Sequence, residues 1–391
     1  MEFEFWWLLS WPLFFVLGWL AARIDIKHII SESRALPRSY LAGLNYLLAE
    51  QPDKAIDAFL EAVQVAPDTV ELHFALGQLF RRRGEVDRAI RMHQSLIERE
   101  DLTPEYRLQA LEELGEDYLK AGLLDRAEAA YLQLKGSSRD ASAKEALLEI
   151  YQQEKNWQRA IEIAQSMPAD NSHRWDKEIA NFHCEIAAQA FAQSHFEAAK
   201  EGAETALACN RKCVRANIIL GDVHAAQSRD EAALEAWKQV GLQDPAFMSL
   251  VAERVLEAYR RLGSEDKAIQ LLRAYLEQTS SLDLLDTVFQ WEMQNQGPDA
   301  AYALVREQLK RSPTLLGLSK LLEAAAYTAP PERKADVEMI RGMIHGHTRR
   351  VARYCCHDCG FKARQFYWRC PACGGWETYP PRRSEEFDLT L

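Results

Sequence analysis

GLNYLLAEQPDKAIDAFLEAVQVAP, residues 43–67, carries the pattern on which the fold of this 391-residue chain turns. Within it Gly43, Tyr46, Ala55, Phe59, Ala62 and Pro67 stand at offsets 0, 3, 12, 16, 19 and 24. Offsets 0 and 3 share one face of a first helix, and offsets 12, 16 and 19 share one face of a second. A small residue at 0 and at 12 lets two helices approach closely. The aromatics are expected to fill the space between successive pairs, and Pro67 ends the second helix. Working outward, the set returns at Gly77, Phe80 and Ala89, at Gly115, Tyr118 and Ala127, and at Leu148, Tyr151 and Ala160. Weaker copies are Ala187 with Ala199, Gly221 with Ala233, Leu256 with Tyr259 and Ala268, and Phe289 with Ala301. The offset-12 alanines, from Ala55 through to Ala301, thus recur at a nearly constant interval. Pro245 and Pro313 repeat the part of Pro67, and Thr314 to His345 reads as a degenerate capping pair.

That interval, roughly 34 residues, is the helix-pair period of tetratricopeptide repeats. One pair cannot bury its apolar face alone, so neighbours must stack. The predicted fold is therefore all-α: a tetratricopeptide-repeat superhelical solenoid over residues 38–345, of about nine helix pairs, with a concave surface. By the usual placement of such residues, Tyr40, Leu44, Leu47, Phe74, Gln78, Arg81, Glu112, Glu116 and Phe191 are candidates to line that surface and meet a partner. The run Arg81–Arg83 before Gly84 either complements the dipole of a helix C-terminus or reaches an acidic partner. Composition agrees with a folded helical chain. Hydrophobic residues make up 48% and charged residues 27%, which excludes wholesale disorder, and 18 Gly with 14 Pro are too few for an all-β protein. No P-loop, HExxH or GxSxG occurs, so the reading is a binding scaffold with no catalytic residues.

Ahead of the repeats, Phe5 to Ala22 is a long run without a charge, rich in Trp, Phe and Leu. As a helix it would span about 27 Å, close to the hydrocarbon thickness of a bilayer. Trp6, Trp7 and Trp11 lie towards one end and Trp19 towards the other, as interfacial aromatics do. A cleaved signal peptide and a buried helix are the competing readings. Glu2 and Glu4 in place of a basic leader, and the length of the run, favour a transmembrane anchor over residues 1–22. Arg23, Lys27, Arg34 and Arg38 all follow it, so the positive-inside rule puts everything after residue 22 in the cytoplasm. Residues 23–37 then form a juxtamembrane linker, and the expected location is the inner membrane, crossed once.

The far end of the chain differs in charge and cysteine content. The formal net charge is −11, yet Gly346 to Arg383 holds eight Lys/Arg against Asp358 and Glu377, a net +6. The tail from Ser384 carries −3, which leaves −14 on residues 1–345. That acidic body argues against a nucleic-acid binder. The basic segment has two nearer uses, docking on the acidic repeats or on anionic lipid. Five of the eight cysteines crowd here, and Cys356-His-Asp-Cys359-Gly360 and Cys370-Pro-Ala-Cys373-Gly374 form two CxxCG knuckles. Two residues between thiolates let one turn present both sulfurs to a tetrahedral ion. The following glycine permits the positive φ that aims backbone N–H groups at sulfur. Cys356, Cys359, Cys370 and Cys373 are thus the predicted ligands of one structural ion, zinc or iron, in a rubredoxin-like ribbon over 354–381. Cys355 falls outside the CxxC spacing, residues 346–353 read as a linker, and 382–391 as a tail. Cys184, Cys209 and Cys213 read as reduced packing residues, with a site shared with His183 or His195 as the unsupported rival.

Anchor, repeats and knuckles together resemble the lipopolysaccharide assembly protein B family of Gram-negative bacteria. The resemblance is carried by Tyr40–Leu48, Gly84–Arg91, Gly122–Glu128 and the two knuckles with Tyr367-Trp368 between them. It implies a non-enzymatic adaptor at the cytoplasmic face of the inner membrane. Its implied partners are an FtsH-type membrane protease, the LpxC-type deacetylase that commits precursor to lipid A, and a PbgA-type lipopolysaccharide sensor. Membrane lipid and a second copy of the chain are further candidates. An iron-based electron-transfer protein and a membrane-tethered RNA scaffold are the alternatives. The Trp-rich anchor, Cys355 and the acidic tail depart from the family pattern.

Overall fold

The computed structural model describes residues 14–19, 38–49, 51–65, 69–167, 172–279 and 281–385. The chain is an all-α tetratricopeptide-repeat solenoid followed by a small ribbon, and its residues fall into two compact units, Met1–Glu154 and Lys155–Leu391. Unit one holds the helix pairs Arg38–Leu48 with Pro52–Val65, Val70–Arg82 with Val86–Ile97, and Pro104–Lys120 with Leu124–Leu132, then Asp140–Gln153. Unit two opens with Trp157–Gln165. Its pairs are Ser172–Ala192 with Phe196–Cys209, Val214–Ala226 with Asp230–Gln243, Ala252–Arg261 with Glu265–Thr279, Leu282–Asn295 with Pro298–Arg311, and Leu315–Thr328 with Pro331–Val351. A 3-10 turn, Pro245–Leu250, precedes the third of these pairs.

The repeat residues form the core as their spacing requires. Ala55, Ala89, Ala127, Ala199, Ala233, Ala268 and Ala301 are all completely buried, as are Phe59 and Ala62. One expectation is extended. The offset-16 side chains do more than fill space towards the next pair, as Phe59 does against Leu72 and Leu76 and Trp237 against Val251 and Val255; they also lie inside their own pair, over the offset-0 glycine. A Cβ placed on Gly43 would stand 2.7 Å from the Phe59 ring, and one on Gly115 2.8 Å from Tyr131. At Gly221 the distance is 2.2 Å to Trp237, and at Gly77 2.3 Å to His93. The pair closes only because glycine leaves room for the ring.

The turn within each pair has its own regularity. Seven positions after offset 0 the backbone is left-handed, at Gly84, Gly122, Lys155, Ser194, Ser228 and Gly263, with φ between 57° and 83°. Helices ended by proline end where expected before Pro245 and Pro313, and Pro67 lies outside the described residues. Side-chain caps come from the hydroxyls of Thr103, Ser281 and Thr314 and from the Asn156 amide, each accepting the N–H three positions on.

The segment 346–353, read as a linker, is no free connection. Helix Pro331–Val351 runs through most of it and passes directly into strand β1, Ala352–Cys355. With β2, Lys362–Ala363, and β3, Ser384–Glu385, it forms a three-stranded antiparallel sheet in the order β2-β1-β3. The anchor expected at Phe5–Ala22 lies outside the described residues except for an exposed helical stretch at 14–19. Among the described residues no helix is long and apolar enough to cross a membrane.

Candidate metal centre and repeat groove

The two knuckles fold as near copies of one another. In the first, the Cys356 N–H donates to the Phe361 carbonyl at 2.9 Å and the Gly360 N–H returns to the Cys356 carbonyl at 3.0 Å. In the second, Cys370 donates to Gly375 at 2.8 Å and Gly374 returns to Cys370 at 2.9 Å. Gly360 and Gly374 both sit at φ +73°, as the motif demanded. The result brings all four Sγ atoms of Cys356, Cys359, Cys370 and Cys373 within 4.8 Å of one another. Cys356 and Cys373 are 3.8 Å apart, and Cys359 and Cys370 3.7 Å. A regular tetrahedron with metal–sulfur bonds of about 2.3 Å has edges of about 3.8 Å. The donor set and its spacing therefore fit one thiophilic divalent ion.

Electrostatics around the sulfurs agree with that use. Burial pushes the Cys356 thiol up, but the Thr378 hydroxyl, 3.2 Å away, and the N–H groups of Cys359 and Asp358 outweigh it and hold the thiol at about 6. Cys359 accepts the Phe361 N–H, yet burial and three neighbouring sulfurs push it up to about 12. Four thiolates cannot share so small a volume without a cation. A bound ion would neutralise them and cross-link both knuckles. Cys355 turns the other way, its Sγ 3.7 Å from the carbonyls of Cys356 and Gly360. Among the described residues no other set of three or more such ligands converges. Cys184 and Cys213 are buried in an alanine-rich cluster with their sulfurs 3.6 Å apart, and Cys209 packs against it.

The ribbon is seated on the repeats of its own unit, chiefly through aromatic rings. Trp376 meets Phe182 edge-on at 5.8 Å and Trp157 at 6.1 Å, while Trp368 stacks on Phe247 at 5.5 Å. Between the two tryptophans lies the Arg215 guanidinium, 5.5 Å from the Trp368 centroid and 6.0 Å from that of Trp376. Glu185 holds Arg215 from the other side at 2.8 Å. Polar contacts frame the rings. The Tyr354 hydroxyl donates to Asp283 at 2.9 Å, Arg383 pairs with the same carboxylate at 3.1 Å, and Asn181 donates to Glu377 at 3.0 Å. The expected docking of basic charge on acidic repeats is thus a minor part of the seat. The rings carry it, because they lose more water-exposed area than a few surface charges can match.

The candidate partner surface in unit one separates into two groups. Gln78 and Arg81 line a groove with Arg82, Glu113, Glu116 and Lys120. Arg81 is no free cation. It meets Glu113 at 2.7 Å, Glu116 at 2.9 Å and Asp117 at 2.8 Å, and these hydrogen bonds raise its pKa against the opposing effect of burial. Asp117 in turn holds the fully buried His93 at 2.5 Å. This His93–Asp117–Arg81 chain escaped sequence reasoning, although His93 occupies an offset-16 position where a ring was due. Phe74 is corrected: it is 5% exposed, packed with Leu96 and Ala110, and offers nothing to a partner. Leu47 likewise packs against the core, whereas Leu44 is exposed. The side chain of Tyr40 lies outside the described residues. Glu112 pairs with Arg139, and Phe191 packs on Phe196.

These features define a class: a repeat scaffold bearing a rubredoxin-type metal ribbon. Family models agree, with "Rubredoxin metal binding domain" matching residues 354–381 and "Tetratricopeptide repeat" matching 40–99 and 185–245. The lipopolysaccharide assembly protein B of Escherichia coli (strain K12) is 36% identical over 375 residues, 95% of this chain and 96% of its own. That of Haemophilus influenzae is 29% identical over 394 residues, covering 96% and 97%. The chain belongs to the lipopolysaccharide assembly protein B family. Among solved structures, the "TPR2AB-domain:pHSP90-complex of yeast Sti1" aligns at a TM-score of 0.33 and 15% identity over 74% of this chain and 97% of that one, too loosely to carry any argument.

Proposed function

We propose that the chain is a non-enzymatic inner-membrane adaptor in lipopolysaccharide assembly. On this reading it presents the LpxC-type deacetylase to an FtsH-type membrane protease under the control of a PbgA-type sensor, and so sets the supply of lipid A. The observation that supports it is the match, over 95% of the chain, to relatives named for lipopolysaccharide assembly. The physical logic is proximity. A tether in the bilayer raises the effective concentration of client and protease for one another, and avidity then needs no strong single contact. The groove around Arg81, with both signs of charge on its walls, suits a client recognised by polar contacts. Zinc is the proposed ion, acting as a structural cross-link in a ribbon too small to fold alone.

The test is affinity purification from detergent-solubilised membranes with identification of the co-purifying proteins, alongside the lifetime of the deacetylase in cells lacking the chain. Protease and deacetylase should both be recovered, and the deacetylase should persist longer without the adaptor. Recovery of neither, with an unchanged lifetime, refutes the reading. Metal analysis with a visible spectrum separates colourless zinc from coloured ferric thiolate, and so from the electron-transfer alternative.

A further inference from the structure

The last repeat helix, Pro331–Val351, leaves an apolar patch uncovered. Half-buried Val337 and Ile344 mark its packed side, while Met339, Ile340 and Met343 are 59%, 45% and 70% exposed. Residues three and four apart share one side of a helix, so these three form a single surface. Flexible thioether side chains let such a surface mould itself to an apolar partner.

The sheet gives the following segment a direction. The helix passes without a break into β1, and β3 runs antiparallel to β1, with Ser384 opposite Arg353 and Glu385 opposite Ala352. Each further step along the chain is therefore a step back towards the helix, against which β3 already lies. Residues 386–391, Glu-Phe-Asp-Leu-Thr-Leu, come next and lie outside the described residues. Six extended residues reach about 20 Å at ~3.3 Å each. From Val351 back to Met343 is about 12 Å of helix, and to Met339 about 18 Å. The segment is long enough to span the patch.

Its pattern also suits the task. Phe387, Leu389 and Leu391 alternate with Glu386, Asp388 and Thr390, so an extended chain turns three apolar residues to one side and the polar ones to the other. Between Met339 and Val351 the helix has no acid to repel Glu386 and Asp388. We propose that residues 386–391 fold back along this helix and cover Met339, Ile340 and Met343 with Phe387, Leu389 and Leu391. The contact ties the end of the chain to the last repeat and is independent of the adaptor reading. A second copy is the rival occupant. Three side chains, however, are a small part of the ~800 Å² per partner that a stable interface buries. A segment tethered beside its site needs far less area, because its effective concentration is high.

Photochemical cross-linking in the full chain, purified with its metal, tests the contact. With Leu389→p-benzoyl-phenylalanine, illumination should join position 389 to residues 339–347 of the same chain, in a yield independent of protein concentration. Adding Phe387→Asp and Leu391→Asp should lower that yield several-fold while helicity and metal content stay unchanged. A cross-link between two chains would assign the patch to a second copy and overturn the proposal. So would a cross-link elsewhere in the chain, none at all, or an undiminished yield when Phe387 and Leu391 are replaced.

Discussion

The repeat array and the ribbon solve the problem of burial in opposite ways. The array needs only itself: an alanine recurring once per helix pair, and a glycine under a ring, let the pairs close and stack. The ribbon has three very short strands and a cluster of Tyr354, Cys356, Cys370 and Tyr379 for a core, too little to offset its chain entropy. It has two other sources of stability to draw on, a four-cysteine site that fits an ion and the tryptophan seat. The comparison teaches that the same amount of damage should spread differently in the two regions. Lesions in the array should stay local and additive; lesions in the ribbon should be all-or-none.

The largest expected effect follows from the ion. Cys370→Ser removes one of four thiolates, and structural zinc sites of this type contribute on the order of 10 kcal/mol to folding. The ribbon should unfold, with metal content falling to zero. Helical circular dichroism should stay close to wild type, because the core residues of the array owe nothing to the ion. Loss of most helicity in that variant would show that the array leans on the ribbon, and would erase the contrast.

The seat comes next. Trp376→Ala removes a ring that is 4% exposed and contacts both Trp157 and Phe182. Buried aromatic truncations cost about 3–5 kcal/mol. Here the cost should appear as undocking: Trp368 gains solvent and its fluorescence shifts to the red, while the metal remains bound. Metal loss in the same variant would mean that seat and knuckles fold as one unit.

Much of this was legible in the sequence, and for identifiable reasons. Ala55 and its successors, and the two CxxCG motifs, are short-range patterns whose chemistry admits few alternatives. The ring over each glycine went unread, because offsets 0 and 16 lie on different helices and spacing alone does not say which side chains meet across them. Docking of the ribbon on the repeats was legible from charge, but its aromatic character was not: Phe182 and Trp376 lie far apart along the chain, and nothing local marks either as half of a contact. Phe74 looked like a groove residue because its helix position was right, but the burial of a face depends on the neighbouring pair. The left-handed turn position was missed since only Gly84, Gly122 and Gly263 announce it, whereas Lys155, Ser194 and Ser228 do not.

That turn gives two smaller effects of opposite sign within a single repeat. Gly221→Ala forces a methyl against Trp237 at a point where only 2.2 Å is free, and should destabilise by about 1–3 kcal/mol. Seven positions later Ser228 holds φ at +60°, a conformation that costs an L-residue about 1 kcal/mol relative to glycine. Ser228→Gly should therefore stabilise, by about 0.5 kcal/mol once the greater freedom of glycine in the unfolded chain is set against it. Urea denaturation of both variants measures the difference. Shifts of the same sign would break the assignment of offsets 0 and 7. Gln158→Leu, on an exposed helix position, serves as the neutral reference.

The smallest effect is expected at Cys355, next to a ligand yet outside the cluster. Its sulfur lies 3.7 Å from two carbonyl oxygens and is absent from the group of four that converge within 4.8 Å. Serine preserves both the size of the side chain and a donor for those carbonyls, so Cys355→Ser should alter stability by less than about 0.5 kcal/mol. Metal content should stay at that of wild type. The adjacent Cys356→Ser, by contrast, takes away the sulfur held by Thr378 and the backbone N–H groups of Asp358 and Cys359, and should behave like Cys370→Ser. The pair of variants thus tests an alternation of one residue along a strand: Cys356 points into the knuckles and Cys355 away from them. If Cys355→Ser sheds the ion and Cys356→Ser keeps it, β1 is out of register by one residue, and the pairing of Tyr354 with Ala363 falls with it.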